Sequence, residues 1–83
     1  MNDSIVGKWR WDTITYEFFK DGTYSYVNTG TGVRNSGNYM VLGNILSFPQ
    51  MGSSTRISLQ GNSLVYDPII NGVVQKGCVL TRI

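Results

Sequence analysis

Apolar and polar residues alternate in short segments along the chain, and Gly and Asn punctuate the segments. A period of two marks strands with one dry and one wet face, and no stretch carries apolar residues at helical spacing. The pattern predicts eight strands, at 5–11, 14–20, 23–28, 37–42, 45–48, 55–60, 63–67 and 73–82. Their connections are short, so each strand pairs with its predecessor. The fold class is all-β, an antiparallel up-and-down meander.

Turn chemistry sets the register, because residues directly opposite each other in a hairpin point to the same face. At Asp21-Gly22 a two-residue loop would set Phe18 against Ser25. A type I turn over Lys20 and Asp21, with Gly22 in a left-handed bulge, sets Phe18 against Tyr24 and Tyr16 against Tyr26 instead, which gives one apolar face. Two-residue loops at Gly43-Asn44 and Gly61-Asn62 pair Val41 with Leu46, Tyr39 with Phe48, Leu59 with Leu64 and Ile57 with Tyr66. The likeness of LGNIL to QGNSL is read as shared turn chemistry, not as a repeat. A tight turn at Asp12-Thr13 pairs Trp11 with Ile14, Trp9 with Tyr16 and Gly7 with Phe18, and brings Lys8 to Glu17 on the wet face. Asn71-Gly72 leads into a last strand on which Val74, Cys78, Leu80 and Arg82 share a face. Either Gly77 is a bulge that turns Lys76 outward, or Lys76 sits at an open mouth.

Eight strands closed into a barrel leave an interior just wide enough to be filled by side chains or to hold one small ligand. The inward positions are Trp9, Trp11, Tyr16, Phe18, Tyr24, Tyr26, Tyr39, Leu46, Phe48, Ile57, Leu59, Leu64, Tyr66 and Leu80, and nine of them are aromatic. So many rings favour a filled core, while the inward tyrosine hydroxyls need partners, as at a wet binding mouth. At one end, Gly7 lets the first strand bend and Trp9 plugs the barrel, while Arg82 either lies over the indole or holds a carboxylate ligand.

Composition narrows the function. A chain of 83 residues is one domain that buries only about 60% of its unfolded surface. Only 14% of residues are charged and 22 are Ser, Thr or Asn, so the wet face is polar but weakly charged. The net charge of +2 is scattered without a basic run, which argues against nucleic acid as a partner. No apolar run is long enough for a membrane span, and the start MNDSIVGKW has no signal-peptide pattern. The chain reads as cytoplasmic as given, or exported if a leader is removed. Cys78 is the single cysteine and histidine is absent, so no internal disulfide and no Cys/His metal cluster is expected, and no cofactor.

Candidate chemistry is sparse. Cys78 has no histidine base and reads as a small core residue. Among the carboxylates Asp3, Asp12, Glu17, Asp21 and Asp67, two occupy turns and Glu17 faces outward, so no catalytic residue is assigned. Thr29-Gly30-Thr31-Gly32 lacks the Gly-Lys-Ser/Thr of a phosphate loop and reads as a flexible hairpin loop.

Gly7-Lys8-Trp9, the run from Phe18 through Asp21-Gly22-Thr23 to Tyr24, the Gly-Asn hairpins and the terminal Thr81-Arg82-Ile83 together resemble a bacterial lipocalin-like domain of the calycin group. The resemblance runs through nearly the whole chain in order. It implies a small barrel that acts as a carrier or an inhibitor and not as an enzyme. The chain departs from the group in being shorter and in having two residues between Trp11 and Ile14, where lipocalins carry a long lid loop.

Two function classes follow. In the first, the open barrel end, lined by Trp11, Tyr24, Tyr26, Tyr39 and Tyr66, accepts a small apolar or aromatic ligand whose polar end Arg56 or Lys76 orients. In the second, the core is filled and a loop from Pro68 to Gly72 presents Ile69 and Ile70 to a protein partner. A weakly charged surface is compatible with a monomer or a homodimer.

Overall fold

Alternation in the sequence becomes alternation across a single sheet in the computed structural model, which describes residues 5–83. The strands are β1 (Gly7–Trp11), β2 (Ile14–Phe18), β3 (Thr23–Asn28), β4 (Val33–Asn38), β5 (Met40–Leu42), β6 (Ile45–Phe48), β7 (Ser53–Gln60), β8 (Ser63–Ile70), β9 (Val73–Val74) and β10 (Cys78–Arg82). All pairings are antiparallel, in the order β4-β3-β2-β1-β10-β8-β7-β6-β5, with β9 on β8. No helix occurs among the described residues. The result is an all-β meander rolled into a nearly closed barrel.

All but one of the expected pairings are present. Trp11 pairs with Ile14, Trp9 with Tyr16 and Gly7 with Phe18. Phe18 meets Tyr24 and Tyr16 meets Tyr26, as the bulged turn at Gly22 requires. Val41 meets Leu46, Leu59 meets Leu64, and Ile57 meets Tyr66. Lys8 stands opposite Glu17, although the ion pair found among the described residues lies elsewhere, between Arg56 and Asp67 at 3.7 Å.

The ten strands are eight passes, two of which are interrupted. One interruption corrects the strand expected at 37–42. That pass begins at Val33, breaks at Tyr39 and changes partner there, its upper part β4 pairing with β3 and its lower part β5 with β6. Tyr39 leaves the ladder. Its N–H donates to the Gly22 carbonyl and its hydroxyl to the Phe19 carbonyl, both across the closed end, so the expected pairing with Phe48 is not made. The seam of the barrel therefore runs along this one pass. Above it the Gln50 side chain accepts the Asn38 N–H at 2.8 Å and ties the β6–β7 turn to the edge of β4. Gln50→Ala is expected to lower stability by about 0.5–1 kcal/mol. Amide exchange at Asn38 should accelerate several-fold, and an unchanged rate there would show that the tie does not hold.

The second interruption lies between β9 and β10. Tyr66 pairs with Cys78, whereas Ile69 pairs with Val74, so one strand carries an extra residue across this stretch. This is the bulge expected at Gly77, and it leaves Lys76 exposed. It also corrects the loop expected at Pro68–Gly72, since β8 continues to Ile70 and turns at Asn71-Gly72 into β9.

The closed end is built as its residues require. Trp9 is wholly buried; its Nε1 donates to the Ile5 carbonyl at 2.8 Å. The Arg82 guanidinium lies 4.2 Å over the ring and donates to the Val6 carbonyl at 3.0 Å. Gly7 adopts φ +136°, and a side chain there would meet that guanidinium at 2.6 Å. Around Trp9 pack Ile5, Phe18, Tyr39, Leu46, Leu64 and Leu80. Leu59 departs from the inward list, being 38% exposed beside the Gly61-Asn62 turn.

Candidate binding site

In a meander alternate turns fall at the same end, so the β1–β2, β3–β4, β6–β7 and β8–β9 connections surround the end opposite Trp9. Strand alternation aims Tyr16, Tyr26 and Tyr66 inward there, above the filled layer around Trp9. The space they leave is divided into two recesses that share Tyr16. One, of about 220 Å³, is lined by Tyr16, Tyr24, Tyr26, Val33, Asn35 and Met51 and opens beside the seam. The other, of about 200 Å³, is more apolar and lies among Trp11, Ile14, Tyr16, Tyr66, Pro68 and Cys78. The interior is thus filled at one end and hollowed at the other.

Tyr16 is the dividing element. Its ring stacks on Phe18 at 5.7 Å and on Tyr66 at 5.4 Å, and meets Tyr26 at 5.1 Å with the planes tilted. Such ring pairs are worth about 0.5–1.5 kcal/mol each beyond the area they bury. The Tyr66 hydroxyl donates to the Tyr16 hydroxyl over a long 3.4 Å. Burial pushes the Tyr16 phenol far above its ordinary value, and the neighbouring Tyr66 adds to the rise. Burial raises Tyr66 as well, against the lowering effect of hydroxyl contacts from Tyr16 and Thr55. Both remain neutral phenols at physiological pH. The Cys78 thiol is raised by burial and then by Asp67, which keeps it protonated and unsuited to nucleophilic attack.

Of the residues singled out from the sequence, Trp11, Tyr24, Tyr26 and Tyr66 all line the recesses. Trp11 remains 45% exposed at the rim. Tyr39 does not join them, because it belongs to the closed end against Phe18. Arg56 is also elsewhere: its neighbours Thr55 and Ile57 are buried, so it faces outward, paired with Asp67. Ile69 and Ile70 stand on the β8–β9 hairpin, where Ile70, Val73 and Val74 form an exposed apolar edge.

Among the lining residues that sequence reasoning left out are Val33, Asn35 and Met51. The first two lie on β4, whose residues VRNSGN show little apolar alternation. The only local sign was Val33 after the Thr29–Gly32 turn. That turn is pinned rather than loose: Gly30 N–H donates to the Asn28 side chain, Thr13 donates to the same oxygen, and Thr29 N–H donates to the Thr13 carbonyl. Met51 comes from the β6–β7 turn, where an exposed apolar residue was visible but not its destination.

No group of His, Cys, Asp or Glu among the described residues could hold a metal ion. Asp3 lies outside the described residues. No protein-family model matches the chain, and no curated protein matches it in sequence.

Proposed function

We propose that the chain is a non-enzymatic, lipocalin-like binding module that takes a small apolar or aromatic ligand at the open end of its barrel. The observation that supports this is a pair of recesses of about 220 and 200 Å³, lined mainly by aromatic and aliphatic side chains, beside a packed core around Trp9. A fold of this size gains stability by filling its core, so space surrounded by tyrosines at one end only is what a binding role requires. The rim indole of Trp11 is the natural reporter, while Trp9, buried at the other end, is insulated from a ligand.

Tryptophan emission titrated with a panel of aromatic and lipid-like compounds is expected to change saturably with at least one of them. The change should vanish in Trp11→Phe while the Trp9 emission persists. A panel that leaves the emission unaltered, confirmed by calorimetry, would end this reading.

A further inference from the structure

We propose that the open end selects an uncharged, two-ended ligand, with a ring-sized apolar group beside Trp11 and Pro68 and a neutral hydrogen-bonding group, such as an alcohol, amide or carbonyl, beside Tyr16 and Asn35. This rests on the binding role proposed above and states which chemistry that role would take.

Neither recess has a charged side chain in its lining. Three cations that could have greeted a carboxylate, Arg82, Arg56 and Lys76, line neither recess. Arg82 lies over Trp9 at the closed end and donates to Val6. Arg56 pairs with Asp67 on the outer surface, and Lys76 is exposed. An ionised ligand would shed its hydration against aromatic walls with no opposing charge, and that cost is large. Neutral ligands escape it.

The two recesses also differ in kind. The one at Trp11, Ile14, Pro68 and Cys78 is almost wholly apolar, whereas the one at the seam brings three phenols and the Asn35 amide together. The Tyr16 and Tyr66 hydroxyls stand 3.4 Å apart, and each can turn its proton to an acceptor in the cup. Because burial keeps both phenols protonated, this handle is neutral at physiological pH. An apolar cavity of about 150 Å³ holds one benzene ring, so recesses of about 220 and 200 Å³ each suit a single ring-sized group.

The test is calorimetric titration of the whole chain at neutral pH with naphthalenemethanol, naphthoate and naphthylmethylammonium, which share a ring system and differ in charge. The alcohol is expected to bind at least about tenfold more tightly than either ion. Tyr16→Phe should weaken the alcohol by about 2- to 12-fold while leaving naphthalene itself unchanged. Should that variant melt well below the parent, Asn35→Ala on the exposed strand β4 provides the same comparison. Naphthoate binding as tightly as the alcohol would overturn the selection for neutral ligands and leave the binding role standing. An alcohol affinity indifferent to both substitutions would overturn the polar half of the assignment. Binding of none of the probes, naphthalene included, would remove the binding role and this inference with it.

Discussion

Trp9→Ala is expected to leave much of the chain unfolded. The indole is wholly buried, donates to the Ile5 carbonyl and carries the Arg82 guanidinium on its face. Removing a large buried aromatic side chain typically costs about 3–5 kcal/mol. A domain of 83 residues holds about 4–12 kcal/mol in total. The loss is more than side-chain area, since the guanidinium is then left above a void. Urea unfolding followed by circular dichroism should show the midpoint falling to a small fraction of the parent value or no folded baseline at all. Trp9→Phe, which keeps a ring, should retain most of the stability. A midpoint unmoved by Trp9→Ala would show that the indole does not plug the barrel.

Gly77→Ala should also be damaging, for a different reason. The φ at Gly77 is not in the left-handed region, so the residue is not required for its backbone conformation. It is required for its missing side chain. A Cβ there would overlap the Tyr66 carbonyl oxygen and stand 2.8 Å from the Pro68 Cδ, two atoms that cannot rotate away. The bulge would have to move, and with it the bond from the Gly77 N–H to the Asp67 carboxylate at 3.0 Å. Overpacking of this kind costs about 1–3 kcal/mol, which corresponds to a fall in melting temperature of about 4–8 °C per kcal/mol in a domain this small. Because Gly77 also borders the apolar recess, ligand affinity should drop with stability. A variant that melts with the parent would mean that the bulge is looser than its geometry implies.

Residues whose roles depend on local chemistry were legible in the sequence. The pairing of Trp9 with Tyr16 followed from a two-residue turn, and the bulge at Gly22 followed from the requirement that Phe18 and Tyr24 share a face. Trp9 under Arg82 was legible because closing a meander into a barrel sets its first strand beside its last. Strand β4 was not, because its neighbours rather than its side chains hold it in place. It pairs with β3 over six residues and needs no apolar stripe of its own. Tyr39 was misplaced for a related reason: a break in a strand depends on carbonyls at Gly22 and Phe19, far away in sequence. Arg56 was given to the cup although its own hairpin alternation, with Thr55 and Ile57 inward, already turned it outward. Ile69 and Ile70 read as a loop because Pro68 suggested an end to the strand, yet a proline is tolerated at a sheet position whose N–H is not needed.

The clasp between Trp9 and Arg82 has a kinetic consequence. Its two strands, β1 and β10, pair directly, and the bond from Arg82 to Val6 spans 76 positions of chain. Each hairpin of the meander can form from residues close in sequence, but the ring cannot shut until its most distant partners meet. Closure entropy must be met before that contact gives anything back. The barrel is therefore expected to assemble as an open ribbon and lock in a late step, with β1 and β10 still apart for most of the journey.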